Sequence, residues 1–392
     1  MHKNRNFLII ALIALVNALG YGIIIPVLYA YSLKYGLNDF QNGLLFSVFS
    51  IGQFLSTPVI GRLSDKYGRR PLLIISLLGT ALSFFMMAFA PNALFLFLAR
   101  ALDGVTAGNI PVASAVISDT TTQEDRAKGF GILGASFGFG FVFGPAISAL
   151  TVGINDSFPF IVAGVVSFAA VIATVLFLPE TNKHMGEIKE GKFFNFRKLI
   201  HALTDENVGT TLLITLFYSF ALSLLIFGYQ PFSVKILKLG ANQISMLFTL
   251  FGVVGLITQV FLLHRLTKKF GLKHTFITSF VVVSIVFFAF FFIRNPLIFA
   301  LASIIWGFAN SLINPLIQTI LSKETDEKSQ GSIQGLNASY LSIGMILGPI
   351  IGGILASISI PSPFLAGGGF SLVCFFLAFH VLKKGVKKET AF

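Results

Sequence analysis

Apolar residues in this chain fall in long unbroken runs, not in the alternating or every-third-position patterns of soluble strands and helices. The runs lie at about 7–31, 42–60, 72–90, 93–118, 129–151, 158–178, 209–230, 243–263, 275–293, 297–320, 332–355 and 364–382. At 1.5 Å rise per residue, a stretch of about 20 residues crosses a hydrocarbon core of about 30 Å. The pattern therefore predicts twelve transmembrane helices. The first run is too long for the core of a signal peptide and has no clear small-residue cleavage site, so it counts as a span. The longest connection, 179–208, carries five basic and five acidic residues around the stretch FFNFRKLIHAL. The Phe and Leu spacing there predicts a short helix lying in the membrane interface. This connection divides an N-terminal half, 1–178, from a C-terminal half, 209–392.

Composition agrees with lipid as the solvent. The 392 residues are 55% hydrophobic and only 11% charged, too few charges to clothe soluble domains. The 45 Phe residues exclude a disordered chain, a coiled coil and a collagen. Twelve spans leave about 140 residues for connections and tails, so a separate soluble catalytic or binding domain has no room. A receptor or scaffold would need such a domain. The single Cys374 forms no intramolecular disulfide and supports no cysteine metal cluster.

The net charge of +12 invites a nucleic-acid reading until the positions of the cations are considered. With the N-terminus in the cytoplasm, 23 of the 28 Lys and Arg fall on inner segments. Only Lys34, Lys235, Lys238 and Arg294 fall outside, and Arg100 lies within a span. The positive-inside rule accounts for that asymmetry, predicts both termini to be cytoplasmic, and removes any need for nucleic acid.

The two halves repeat each other. GRLSDKYGRR at 61–70 aligns with HRLTKKFGLK at 264–273, each joining the second and third spans of its half. Gly104 falls on Gly307 at the same offset, and GPAIS from Gly144 meets GPIIG from Gly348. Parallel repeats of this kind predict a substrate site between halves near the bilayer midplane.

The loop GRLSDKYGRRPLL, Gly61 to Leu73, is where the chain resembles the major facilitator superfamily, whose signature there is G-x-L-x-D-R/K-x-G-R-R/K. Gly61 is expected to let two helices approach and Gly68 to permit a tight turn. Asp65 suits a helix N-terminus, and Arg69 and Arg70 suit acidic partners. In the family this cluster latches the halves when the cytoplasmic side is closed. The resemblance implies the same for Gly61, Asp65, Gly68, Arg69 and Arg70, with Asp119 and Arg126 placed to join them. The second copy has Lys268 where the first has Asp65, so any latch is asymmetric. The fifth span, GFGFVFGPAISAL from Gly138, resembles the family's antiporter signature at Gly140, Gly144 and Pro145. Generic small-residue packing explains the same residues, and GMILGPIIGG from Gly344 fits the pattern better.

Along the whole chain the resemblance is to the tetracycline-efflux-like drug:proton antiporters. It is carried by LVNALGYGIIIPVL at 15–28, GQFLSTPVIGRLSDKYGRRP at 52–71, ISDTTTQEDRAKGFGILGASFGFGFVFGP at 117–145 and ETDEKSQGSIQG at 324–335. The chain departs from the tetracycline exporters at Asn17 and Ser83, where they carry membrane-embedded acids, and its ninth span holds no acid. The implied fold is all-α, twelve helices in two pseudo-symmetric halves. The implied activity is export of hydrophobic or amphipathic small molecules by proton antiport with alternating access, without a cofactor or bound metal. A monomer in a bacterial inner membrane completes the expectation. The competing reading keeps the fold but makes the chain a facilitator or importer of a nutrient or metal-chelating molecule.

Of the 16 Asp and Glu, Asp103 alone reads as lying inside a span, with Arg100 three residues away on the same helical face. A charge costs roughly 2.5 kcal/mol or more at the bilayer centre, so the pair should face protein or water. Two readings stay open: Asp103 exchanges a proton in competition with substrate, or the pair is a permanent structural bridge. The neutral polar residues within spans are Asn17, Tyr21, Gln53, Asn109, Gln259, Asn310, Asn314 and Gln318. Spacing of four places the last three on one stripe. They either line a cavity or join helices. Beside many Phe, the set suits an aromatic or amphipathic ligand.

Two enzyme-like patterns fail on context. G-F-G-I-L-G at 129–134 follows no strand, and G-A-S-F-G at 134–138 puts Ser136 in a span without a His and acid partner. Neither a Walker A loop nor H-E-x-x-H occurs. The chain is not expected to be an enzyme.

Overall fold

The structure is a computed structural model that describes residues 2–121, 123–182, 185–186, 196–326 and 329–382. For 2–7, 123–128 and 196–198 it describes the backbone alone. The described residues form helices α1 His2–Leu33, α2 Asp39–Tyr67, α3 Arg69–Ala88, α4 Ala93–Thr106, α5 Asn109–Thr120, α6 Gln123–Thr151 and α7 Phe158–Phe177. They continue with α8 Phe196–Ala202, α9 Gly209–Pro231, α10 Ala241–Ile257, α11 Leu263–Phe270, α12 Leu272–Phe292, α13 Pro296–Glu324, α14 Gln330–Ile358 and α15 Ser362–Ala378. Among the described residues, eleven stretches are long and apolar enough to cross a membrane, and the shorter Ser362–Ala378 follows the same composition. The fold class expected from the sequence is the one observed.

Two spans are interrupted. The fourth was expected as one helix over 93–118, but α4 ends at Thr106 and α5 starts at Asn109. Pro111 has no N–H for the Ala107 carbonyl, which removes the helical bond that would bridge the gap. Side chains compensate: Ser56 Oγ donates to the Gly104 carbonyl at 3.1 Å and Ser76 Oγ to that of Thr106 at 2.5 Å. A broken helix in lipid needs such partners for its freed backbone groups. The eighth span is likewise not a uniform α-helix over 243–263. It comprises α10, a π-helical turn at Thr258–Leu262, and α11. A second π turn, Phe232–Ile236, follows Pro231 at the end of α9. Of the interfacial helix expected around FFNFRKLIHAL, the described part is α8, and Phe193 to Asn195 lie outside the described residues.

The chain forms two compact units. The first comprises 1–37, 48–193 and 240–249, and the second 38–47, 194–239 and 250–392. Thus the start of α2 belongs with the second unit and the start of α10 with the first. In the first unit, Ile9, Ile13, Leu73, Leu77, Val112, Val116, Ala170 and Val171 form a buried core at one end of α1, α3, α5 and α7. In the second, an aromatic cluster joins Tyr229, Phe232, Phe290, Phe299 and Phe364, with ring centroids 4.7–5.2 Å apart for the nearest pairs. Outer faces carry bare apolar side chains, for example Ile75 at 58%, Leu176 at 67% and Ile285 at 61% exposure. Walls of this kind on spans of this length suit a lipid surround.

Because lipid is as apolar as leucine, helices associate through close packing and polar contacts more than through the hydrophobic effect. Gly144 and Gly22 meet this way: a Cβ on Gly144 would stand 2.8 Å from the Gly22 Cα, and one on Gly22 would stand 3.0 Å from Pro145. A Cβ on Gly140 would collide with Ala18. The antiporter-like residues of α6 are therefore the surface on which α1 rests. In the repeat, Gly344 and Gly348 of α14 receive Ser219 and Ser223 of α9 in the same manner.

Candidate functional site

The centre of the first unit is a buried ion pair. Arg100 Nη1 lies 3.2 Å from Asp103 Oδ2, with both side chains almost fully enclosed, 4% and 7% exposed. One helical turn of α4 fixes the spacing, and the following break places Gly104 against Gly52 of α2, where a Cβ on Gly52 would stand 3.0 Å from Gly104. The Arg100 guanidinium lies over the face of Phe49 at 4.3 Å. Phe49 in turn meets Tyr21 with centroids 6.0 Å apart, and Tyr21 meets Phe141 edge-on at 6.0 Å. A guanidinium on an aromatic face is stabilised by the ring quadrupole, increasingly so away from water. Asp103 points into protein, not toward acyl chains, bordered by Thr80 as well as Arg100.

Asn17 and Asn109 also meet: Asn109 Nδ2 donates to Asn17 Oδ1 at 3.0 Å, leaving Asn17 Nδ2 and Asn109 Oδ1 buried without partners. Each amide is thus half satisfied, with a donor and an acceptor unused. An unsatisfied buried polar atom is costly, which makes the pair a candidate ligand contact. Gln53 is partly exposed on α2, with no side-chain hydrogen bond among the described residues.

In the second unit, the Tyr218 hydroxyl donates to Asn310 Oδ1 at 3.1 Å, and Gln259 Nε2 reaches the Ser311 carbonyl at 3.5 Å. Gln259 sits in the π turn, a distortion frequent at functional sites. Asn314 is exposed and Gln318 partly so, and their side chains make no hydrogen bond among the described residues. The stripe on α13 therefore divides into one joined and two free amides. Sequence reading missed Tyr218, whose polar tip is invisible in an apolar run, and Phe49, which looks like any other Phe.

At the basic-loop end of the first unit, Arg69 is the hub. Its Nη1 pairs with Asp65 at 2.5 Å and with Ser64 Oγ at 2.7 Å, and its Nε donates to Asp119 at 3.0 Å. Gly68 has φ +100 and a Cβ there would strike the Glu180 carboxylate, so the turn requires glycine. Three details depart from expectation. A Cβ on Gly61 would meet nothing within 4 Å, so close helix approach does not explain that glycine. Among the described residues the Arg70 side chain binds no acid: its Nη2 donates to the Val175 carbonyl at 2.5 Å, near the end of α7. The acid serving Arg70 and Arg69 through their backbone is Glu180, whose oxygens accept from Arg69 N at 2.9 Å and Arg70 N at 3.1 Å. A carboxylate at the start of α3 satisfies free N–H groups and opposes the helix dipole. The side chain of Arg126 lies outside the described residues.

Asp103 is not alone as a buried acid. Glu324, at the last residue of α13, is 2% exposed and accepts from Thr211 Oγ1 at 2.6 Å and Leu382 N at 2.8 Å. Asp39, at the start of α2, is 7% exposed and bound through both oxygens by Lys235 at 2.7 and 2.8 Å. Their positions at helix ends concealed their burial in the sequence.

Lipid-facing helices around enclosed polar centres are the build of a polytopic membrane protein. The chain belongs to the Major Facilitator Superfamily, whose profile matches residues 10–234 and 211–392. It is 29% identical over 387 residues to the class H tetracycline resistance protein of Pasteurella multocida, covering 91% of this chain and 90% of the relative. It is 30% identical over 365 residues to multidrug resistance protein 1 of Bacillus subtilis (strain 168), covering 92% of each. Its fold is that of the solved D-xylose-proton symporter, with a TM-score of 0.80 over 100% of both chains at 14% identity. The protein is therefore an integral membrane transporter for small molecules, with drug-efflux relatives, and not an enzyme.

Proposed function

We propose that this transporter exports hydrophobic or amphipathic, drug-like molecules in exchange for protons, by alternating access of its N-terminal half, 1–178, and C-terminal half, 209–392. The single observation that carries the reading is Asp103, a carboxylate enclosed mid-span and held 3.2 Å from Arg100. Protonating Asp103 frees Arg100 from its counter-ion, and deprotonating it restores the pair. A proton thereby changes the charge of the polar centre, which is the differential interaction a coupled transporter needs. Phe49, Tyr21 and the half-satisfied Asn17 and Asn109 supply an aromatic face with a spare donor and acceptor for substrate. Tyr218, Asn310, Gln259, Asn314 and Gln318 offer polar contacts from the second half.

In this reading the chain is a monomer in a bacterial inner membrane with both termini cytoplasmic. The Arg69 cluster, with Arg126 nearby in sequence, closes the cytoplasmic side, and the Gly140, Gly144 and Pro145 packing steadies α1 against α6. A proton crossing 100 mV yields roughly 2.3 kcal/mol, enough to bias the cycle when proton and substrate bind in competition. The test uses everted membrane vesicles from an expressing strain with an imposed acid-inside gradient, and a panel of dyes, antibiotics and chelators. Accumulation of an amphipathic compound with matching proton release is expected. Gradient-independent equilibration would instead make the protein a facilitator.

A further inference from the structure

The second unit contains a cavity of about 520 Å³ between α11, α12 and α13 that none of the transport chemistry uses. Its walls include Phe270, Thr278, Phe308 and Leu312, and Lys269 and His274 stand at its basic-loop end. Phe308, Ala309 and Leu312 lie on one side of α13. At 100° per residue, Asn310, Asn314 and Gln318 fall on the opposite side, so the cavity is separate from the polar stripe.

Among the described residues no acid pairs with the cations at the mouth of this cavity. In the first-half loop, Arg69 is neutralised by Asp65 and Asp119. The second-half copy has no acid, and Lys268 occupies the place of Asp65. Lys273 turns away to the carbonyls of Phe379 and Val381, at 2.7 and 2.9 Å. Arg265, Lys268 and Lys269 are exposed and make no ion pair among the described residues. The approach is apolar: Phe261 and Phe270, on the same span, are 59% and 53% exposed. Cations at the rim, an apolar interior and greasy flanks complement a molecule with an anionic head and a hydrocarbon tail, and the bilayer itself supplies one.

We propose that this cavity binds an anionic phospholipid, with its phosphate at Lys269 and Lys268 and an acyl chain between α12 and α13. Basic pockets between transmembrane helices are the usual seat of anionic head groups, and a volume of this size accommodates a substantial apolar segment. The occupant would fill the space left where α11 stands off from α12 and α13.

Native mass spectrometry of the full-length detergent-purified protein tests the proposal, with phosphatidylglycerol and phosphatidylcholine of identical chains added in turn. Phosphatidylglycerol should be retained in preference. Replacing Lys268→Gln and Lys269→Gln together should reduce that preference, by roughly fivefold for each lysine. Thr278→Trp, at an exposed position that projects bulk into the cavity, should lower retention of both lipids without altering the preference. Equal retention of the two lipids by the unmodified protein, or a preference unchanged in the double lysine variant, would overturn the proposal. So would full displacement of the lipid by glycerol phosphate, which would make the site one for soluble anions.

Discussion

Arg100 and Asp103 bind each other one helical turn apart on α4, at 3.2 Å, in a position from which water and lipid are almost entirely excluded. Two charges in such surroundings stabilise each other, and either one alone is costly. Breaking a buried pair from one side costs about 3–5 kcal/mol because the other charge is left without compensation. Arg100→Met should therefore lower unfolding stability in detergent by that order, and Arg100→Met with Asp103→Asn should recover most of the loss. Guanidinium- or heat-induced unfolding of the parent and the two variants measures it. A double variant no better than the single one would show that Arg100 acts independently of Asp103.

The contact between Gly22 and Gly144 leads to a second expectation. A Cβ on Gly144 would stand 2.8 Å from the Gly22 Cα, and backbone cannot step aside as a flexible side chain can. Gly144→Ala should destabilise by roughly 1–3 kcal/mol and impair transport. Gly138→Ala, on the same helix with nothing within 4 Å of its Cβ, should leave both properties near those of the parent. Thermal midpoints and transport rates compared across the two variants separate packing from helix propensity.

Glu180 concerns the loop turn. Its carboxylate accepts backbone N–H groups from Arg69 and Arg70 as well as from Thr181 and Asn182 at 2.9 and 2.8 Å. Glu180→Gln keeps the shape but removes the charge facing the α3 dipole, for a loss of about 1 kcal/mol in stability. Hydrogen exchange at the start of α3 should rise in the variant. Unchanged protection would mean that the carboxylate's charge is immaterial there.

Asp39 and Lys235 join the first turn of α2 to the π turn after α9. Asp39→Lys should depress expression and transport through like-charge contact with Lys235, and adding Lys235→Asp should restore them. Paired transport assays on the single and double variants check this. The start of α2 is further fixed to the second unit by Ser47 Oγ, which donates to the Ile346 carbonyl at 2.6 Å.

Span composition made the helical membrane fold legible, because twenty apolar residues in a row have few other uses. The loop signature was legible through its glycines and charges, and Gly68 and Arg69 occupy the places those residue types suggest. Breaks within spans were less legible. The interruption between α4 and α5 went unread although Pro111 lies within the run, and the π turn at Thr258–Leu262 contains no residue that demands it. Partners across helices were hidden altogether. Nothing in a linear string says that Tyr218 will meet Asn310, that Phe49 will lie under Arg100, or that Glu180 will cap a helix 110 residues earlier in the chain. Acids at helix ends misled for a related reason, since Glu324 and Asp39 look solvated in sequence and become enclosed only when other helices pack over them.

The central claim is that Asp103 carries the coupling proton, and reconstituted protein tests it most directly. In proteoliposomes, pH-driven accumulation of a substrate identified in the vesicle screen is to be compared with substrate counterflow at equal pH on the two sides. Asp103→Asn, measured on the folded protein that survives the loss of the charge beside Arg100, should abolish the pH-driven accumulation and retain counterflow, because the amide keeps the shape of the site but exchanges no proton. Accumulation driven by pH at the parental level in that variant would contradict the account.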